Sequence, residues 1–161
     1  MLQVCIYADG ASRGNPGPGG YGTIVRIRDQ HMHITEQVFS QGFSCTTNNR
    51  MELLGVIVGL ESLQQPYKLM ILSDSSYVVN AFQQHWVESW LAHNWKTAGK
   101  KPVKNADLWK RLLRALDGHT AEFRWVKGHN GHEFNERCDE LATRAADDTL
   151  HHIQDEGFGA L

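Results

Sequence analysis

The segment Leu2–Gly20, LQVCIYADGASRGNPGPGG, decides the fold, because it joins a strand that ends at a carboxylate to a glycine-rich loop. Every second residue from Leu2 to Ala8 is apolar, and β-branched and aromatic residues are frequent, which is typical of a strand. An Asp-Gly pair is by itself a common turn. The turn does not close here, however, because residues 14–20 continue as a loop whose backbone can approach a ligand. The role of Asp9 therefore depends on which other carboxylates reach it.

The composition is that of an ordinary globular domain. The chain has 161 residues, of which 41% are hydrophobic and 21% charged, and its formal net charge is −2. It has three cysteines and no CxxC pair, so we predict reduced thiols and neither a zinc nor a redox site. There is no apolar run of membrane-spanning length and no signal-peptide pattern, so we expect a cytoplasmic protein with no membrane partner.

The rest of the chain alternates strands and helices. Strands are predicted at 21–28, 31–39, 68–72 and 121–126 from their alternating or continuous apolar residues. Helices are predicted to begin near residues 48, 75, 105 and 133. This order predicts an α/β fold, a mixed sheet flanked by helices. We expect residues 1–148 to form one catalytic domain and residues 149–161 to form a flexible tail.

Four acids could meet at one edge of this sheet. Asp74 follows the buried strand 68–72, just as Asp9 follows the first strand, while Glu52 and Asp139 lie on predicted helices. Taken alone, Asp74 could be a helix N-cap and Glu52 a surface residue. Together, four carboxylates need a neutralising cation, and their oxygens suit Mg²⁺ or, as a substitute, Mn²⁺. The sequence therefore predicts a divalent-metal site.

A basic, aromatic segment follows residue 85. It interleaves tryptophans with lysines and arginines, which suits contact with a nucleic-acid backbone; the alternative is that the tryptophans pack in the core beside a solvated basic face. His129 lies in a glycine-flanked loop and could transfer protons, although a surface role is equally compatible with its position.

Five motifs together resemble bacterial type 1 ribonuclease H over nearly the whole chain. They are YADGASRGNPGPGGYG, TTNNRMEL, LSDSSYV, WKTAGKKPVKN with DLW, and WVKGHNGHEFNERCDELA. The resemblance implies a ribonuclease H-like fold, a five-stranded mixed sheet in the order 3-2-1-4-5 flanked by helices. It also implies metal-dependent, sequence-nonspecific hydrolysis of the RNA strand of RNA–DNA hybrids, leaving 3′-hydroxyl and 5′-phosphate ends.

The same resemblance assigns roles to individual residues. It implies that Asp9, Glu52, Asp74 and Asp139 bind the metal, and that His129 assists protonation or product release. It further implies substrate contacts by a larger set, in which Lys100, Lys101 and Lys104 supply the basic charge of the arm: Asn15, Thr47, Asn48, Asn49, Trp86, Lys100, Lys101, Lys104 and Asn105.

Two other functions use the same residues. A nuclease of this fold could act on DNA, although Asn15 and the Asn48–Asn49 pair argue against it. An inactive hybrid-binding module is also conceivable, although the complete acid set and His129 argue against it. The expected partner in the preferred interpretation is an RNA–DNA hybrid, bound by a monomer.

Overall fold

The computed structural model describes residues 3–127 and 133–158. In chain order its elements are β1 (Gln3–Ser12), β2 (Gly17–Arg28), β3 (Ile34–Thr46), α1 (Asn48–Glu61), β4 (Lys68–Ser73), α2 (Ser76–Gln83), α3 (Trp86–Ala92), α4 (Ala106–Leu116), β5 (Thr120–Trp125), α5 (Glu133–Asp147) and a 3₁₀ turn, Thr149–His151. None of the helices in this part of the chain is long and apolar enough to cross a membrane.

The five strands form one mixed sheet in the order β3-β2-β1-β4-β5. β1 pairs with β2, and β2 with β3, in antiparallel fashion. β4 lies parallel to β1, and β5 lies parallel to β4. The predicted fold class and strand order are confirmed.

Helices cover both faces of the sheet. α1 packs on one face, where a Cβ added at Gly59 would come within 2.8 Å of the Ile6 side chain. α5 packs on the opposite face, where a Cβ at Gly22 would lie 2.4 Å from the carbonyl oxygen of Cys138. The two glycines therefore let both helices approach the central strands closely, which offsets the low helix propensity of Gly59.

Three strands are longer than the sequence predicted. β1 does not end at Asp9 but continues to Ser12, β2 begins at Gly17 rather than at residue 21, and β3 runs to Thr46 rather than to residue 39. The additional residues carry no apolar alternation, but their backbones pair with neighbouring strands, as Gly20 does with Gly42. Backbone pairing, which the side-chain pattern does not reveal, extends the ladder here.

The tryptophans of the basic segment pack against the core. Trp109 is fully buried and its Nε1 donates a hydrogen bond to the Tyr77 hydroxyl at 2.9 Å. Trp86, Trp90 and Trp95 are partly buried against the same core. The core-packing alternative therefore describes these side chains, while the lysines between them remain exposed.

The segment that we expected to be a flexible tail contacts the rest of the domain at two points within residues 149–158. Ile153 forms a parallel bridge with Phe43 of β3, and its carbonyl accepts a hydrogen bond from the Ser44 amide at 3.1 Å. Asp155 is only 6% exposed, although most of the other residues of 149–158 are exposed. These contacts tie the described part of the segment to the sheet, and the flexibility of the tail stays a prediction.

Candidate active site

Asp9 and Asp74 lie side by side. β1 and β4 are parallel neighbours, and Ala8 is in register with Ser73. Asp9 is the next residue of β1, which continues to Ser12, and Asp74 directly follows the end of β4. Parallel strands bring their carboxyl ends to the same edge of a sheet, which is where open α/β sheets bind ligands. Asp74 does not cap α2: Ser75 is the N-cap, and its Oγ accepts a hydrogen bond from the Val78 amide at 3.2 Å.

Glu52 reaches this edge from α1. The helix passes so close to β1 that a Cβ at Gly10 would lie 2.5 Å from the Glu52 amide nitrogen. Carboxylate oxygens of Asp9, Glu52 and Asp74 all lie within 4.8 Å of one another. The structure brings these three acids together, and their role as metal ligands stays a prediction.

Burial makes this cluster electrostatically costly. Asp9 is 3% exposed and Glu52 is 5% exposed. Burial, then the charge of Asp74 and a hydrogen bond with Asp139, raise the pKa of Asp9 to about 8. Burial and the charge of Asp9 likewise raise the pKa of Glu52 well above its usual value. A cation bound between these carboxylates would favour the ionised form of each of them.

The donor set fits a hard divalent cation. The Glu52 Oε2 is buried and has no hydrogen-bond partner within residues 3–127 and 133–158, although buried carboxylate oxygens are normally satisfied. The Asp9 Oδ1 accepts only the neighbouring Gly10 amide, at 2.9 Å, among the hydrogen bonds of that region. Oxygen-only ligands of this kind suit Mg²⁺ or Mn²⁺.

The structure describes the fourth acid, Asp139, but not the loop histidine, His129. Asp139 lies on α5, partly exposed, and its hydrogen bond and charge both contribute to the raised pKa of Asp9. Asp139 therefore adjoins the cluster from the opposite face of the sheet. His129 lies outside the described residues, and its role stays a prediction.

Most of the predicted substrate-contacting residues line one groove. Its volume is about 1000 Å³, and seven of the predicted residues form its lining: Asn15, Thr47, Asn48, Asn49, Lys101, Lys104 and Asn105. Thr47 caps α1, its Oγ1 accepting the Arg50 amide at 3.3 Å, and the Asn15 Oδ1 accepts the Asn48 amide at 2.8 Å. These hydrogen bonds hold the loop before β2 against the start of α1.

Two predicted contacts lie outside the lining of this groove. Trp86 begins α3 and is partly buried against the core. Lys100 is exposed, with a left-handed backbone conformation (φ 63°), in the turn that follows α3. Lys100 directly precedes Lys101, which does line the groove, whereas Trp86 lies on a separate helix.

Seven groove residues were missed from the sequence, among them Gly157 and Phe158 of the C-terminal segment and Arg50 of α1. Arg50 is 2% exposed, and its guanidinium donates to carboxylates from two distant parts of the chain, Asp107 and Asp155. Because these contacts are long-range, no local pattern could have indicated them; the only signal was an arginine in a helix that is mostly apolar after its first turn.

Comparisons with known proteins agree with this geometry. The RNase H family model matches residues 1–147. Among curated proteins, ribonuclease H from Lachnoclostridium phytofermentans is 56% identical over 91% of this chain and 93% of its own. Ribonuclease H from Salmonella paratyphi C is 52% identical over 99% of this chain and 98% of its own.

Solved structures are similar as well. A type 1 RNase H with the type 2 active-site motif superposes with a TM-score of 0.81 at 33% identity, covering 91% of this chain and 73% of that protein. LC11-RNase H1, solved in complex with an RNA/DNA hybrid, superposes with a TM-score of 0.63 at 25% identity, covering 91% and 99%. The sequence and structural relatives agree, and this chain belongs to the RNase H family.

Proposed function

We propose that this protein is an endoribonuclease that hydrolyses the RNA strand of RNA–DNA hybrids with the help of a divalent metal ion. The observation that carries the proposal is the group of three converging carboxylates, of which Asp9 and Glu52 are buried, beside a groove lined by asparagines and lysines. One Glu52 oxygen in this group has no hydrogen-bond partner within residues 3–127 and 133–158. Membership of the RNase H family supports the same reaction. The expected products carry 3′-hydroxyl and 5′-phosphate ends.

The four acids would hold the metal. Asp9, Glu52 and Asp74 provide the converging oxygens, and Asp139 extends the set from α5. A bound Mg²⁺ or Mn²⁺ would lower the pKa of an attacking water and stabilise charge on the phosphate oxygens. Mg²⁺ is our preferred ion, since it keeps exchangeable positions when few carboxylates bind it.

We assign substrate binding to the groove and catalysis to the acid cluster. Lys101 and Lys104 provide positive charge for a phosphate backbone, and Asn15, Asn49 and Asn105 provide amide donors and acceptors. Contacts to backbone carry no base code, so cleavage should depend little on sequence. A protein that contacts the 2′-hydroxyls of one strand can distinguish RNA from DNA, and such contacts are the physical basis of selectivity for hybrids.

We also propose a cellular location, an oligomeric state and a role for His129. We infer a cytoplasmic location from the cysteine usage of the sequence, and we expect a monomer. His129 is proposed as a proton-transfer group in the loop before α5.

The test is cleavage of matched RNA–DNA, RNA–RNA and DNA–DNA duplexes, each with one labelled strand, with and without Mg²⁺. We expect only the RNA strand of the hybrid to be cut, and only with metal. Cleavage of duplex DNA would favour the DNA-acting alternative, and binding without cleavage would favour the inactive module. Asp117→Asn, at an exposed acid after α4, is the charge-matched control for Asp9→Asn.

A further inference from the structure

The C-terminal segment forms one wall of the groove. Gly157 and Phe158 are among its lining residues, and the Phe158 amide donates to the Asp155 carbonyl at 3.1 Å, closing a turn. A Cβ at Gly157 would lie 1.9 Å from Asp107 Oδ2, so the turn packs directly on the start of α4. The segment is thus held at the groove by its backbone as well as by its side chains.

Asp155 is the buried anchor of this segment. It is 6% exposed and accepts three hydrogen bonds: from Thr46 Oγ1 at 2.7 Å, and from Arg50 Nε and Nη2 at 2.7 and 3.0 Å. Such bidentate pairing of arginine with a carboxylate fixes both groups in one geometry. Asp155 therefore sets the position of the Arg50 guanidinium.

Arg50 has no donor left for a ligand. A guanidinium has five N–H donors. Its two bonds to Asp155 are joined by two to Asp107, at 2.9 and 2.8 Å, and by one from Nη1 to Asn105 Oδ1 at 3.3 Å. With its side chain 3% exposed, Arg50 does not contact substrate itself. It acts through Asn105.

The last of these bonds decides which way the Asn105 amide points. Arginine has no acceptor, so Asn105 must turn its oxygen to Arg50, which directs its two N–H donors away. One donates to the Tyr77 hydroxyl at 3.2 Å. The other has no partner in the described part of the chain, and Asn105 lines the groove. A free N–H donor at this point suits a phosphate oxygen.

We propose that Asp155 and Arg50 are positioning residues for substrate, which orient the Asn105 amide so that it donates to a phosphate of the bound hybrid. The C-terminal segment is then a part of the binding site. The inference rests on the proposed function for the identity of the ligand.

The experiment is a double-mutant cycle on hybrid binding, measured in EDTA with a fluorescently labelled RNA–DNA hybrid so that no turnover occurs. Asp155→Asn should raise Kd about two- to tenfold, the range for one misaligned hydrogen bond. In the Asn105→Ala background the same change should have no further effect, because the group that it positions is absent. With Mg²⁺, KM should rise similarly while kcat stays within about twofold, since the acids are untouched.

Control variants distinguish a positioning effect on Kd from the effects of lost stability and of changed net charge. Asp148→Asn removes an equal charge from the same segment but pairs only with His151 in the described residues, and should leave Kd unchanged. Thr46→Val removes one bond to Asp155 without changing charge, so it should give a smaller rise of Kd that again vanishes in Asn105→Ala. If Asp155→Asn does not fold, this second cycle decides the question.

Three results would overturn the inference: equal effects of Asp155→Asn with and without Asn105, a lowered melting temperature with unchanged Kd, or an equal rise of Kd in Asp148→Asn. The proposed function fails separately, if wild-type protein binds hybrid but does not cleave it, because the cycle measures binding alone.

Discussion

Two clusters of charged side chains lie near the start of α1, around Arg50 and around Glu52, and they are built in opposite ways. Around Glu52, three carboxylates converge and one oxygen has no partner among the described residues. Around Arg50, one guanidinium meets two carboxylates and all of its donors are used. The residues are only two apart in sequence.

The difference shows how to distinguish a site from an anchor. Removing a charge from water costs several kcal/mol, and proteins normally offset that cost with partners inside the fold. The Arg50 cluster does so completely, and the hydrogen bond from Arg50 lowers the pKa of Asp107. The acid cluster does not, and its pKa values rise instead. Unbalanced buried charge indicates a missing ligand, whereas balanced charge indicates structure.

The largest expected effect is loss of cleavage on changing the acid cluster. Asp9→Asn should lower kcat on RNA–DNA hybrid by about a thousandfold, because it removes a metal-binding carboxylate at the centre of the cluster. The variant should nevertheless fold, since it relieves repulsion between buried charges. Steady-state cleavage and circular dichroism measure the two quantities. Turnover near that of wild type would remove Asp9 from the metal site.

The second effect is loss of stability on changing the balanced cluster. Arg50→Met should lower the free energy of unfolding by about 3–5 kcal/mol, because Asp155 is left buried without its partner. Denaturant unfolding in metal-free buffer measures it. A loss below about 1 kcal/mol would mean that water reaches Asp155, and the cluster would not then be an anchor.

The third effect is a pH dependence that separates the clusters. The Asp9 pKa of about 8 lies above its ordinary 3.8, so between these values the folded protein holds a proton that the unfolded chain has lost. That stabilisation is present at low pH and is lost as the pH rises through about 8. For metal-free protein, we expect the loss of the Asp9 proton with rising pH to lower the free energy of unfolding by about 2–4 kcal/mol.

Two comparisons test the sign of this dependence. Asp9→Asn should flatten the fall, and a saturating divalent ion should oppose it, because the ion binds the ionised carboxylates. Unfolding free energies at several pH values, with and without metal, provide the measurement. An identical pH dependence in wild type and Asp9→Asn would contradict the raised pKa.

The smallest effect comes from an exposed ion pair, as a reference for both clusters. Glu61 of α1 pairs with Arg111 of α4 at 2.7 Å, but both side chains are about 40% exposed. Glu61→Gln should change the free energy of unfolding by no more than about 1 kcal/mol and should not change cleavage. A loss as large as that of Arg50→Met would show that burial is not what distinguishes the anchor.

Much of the fold was predictable because its signals are local. The buried face of each element sets a local pattern of apolar residues, which can be recognised in the sequence. Examples are the alternation in β1, the apolar run of β4 and the periodicity of the helices. The extensions of β2 and β3 were not predictable, since glycines and polar residues there pair through their backbones. The burial of Asp155 in the tail was not predictable either, because the surrounding segment is mostly polar.

The sequence by itself determined the strand that contains Asp9, the strand that Asp74 follows, the helix that carries Glu52, and the family to which these motifs belong. Only the tertiary structure decided which acids share a cluster, which donors face the groove, and that residue 155 anchors residue 50. The physical reason is distance along the chain. Arg50, Asp107 and Asp155 are brought together by packing, and the hydrogen bonds of a buried guanidinium leave no periodic trace in the sequence.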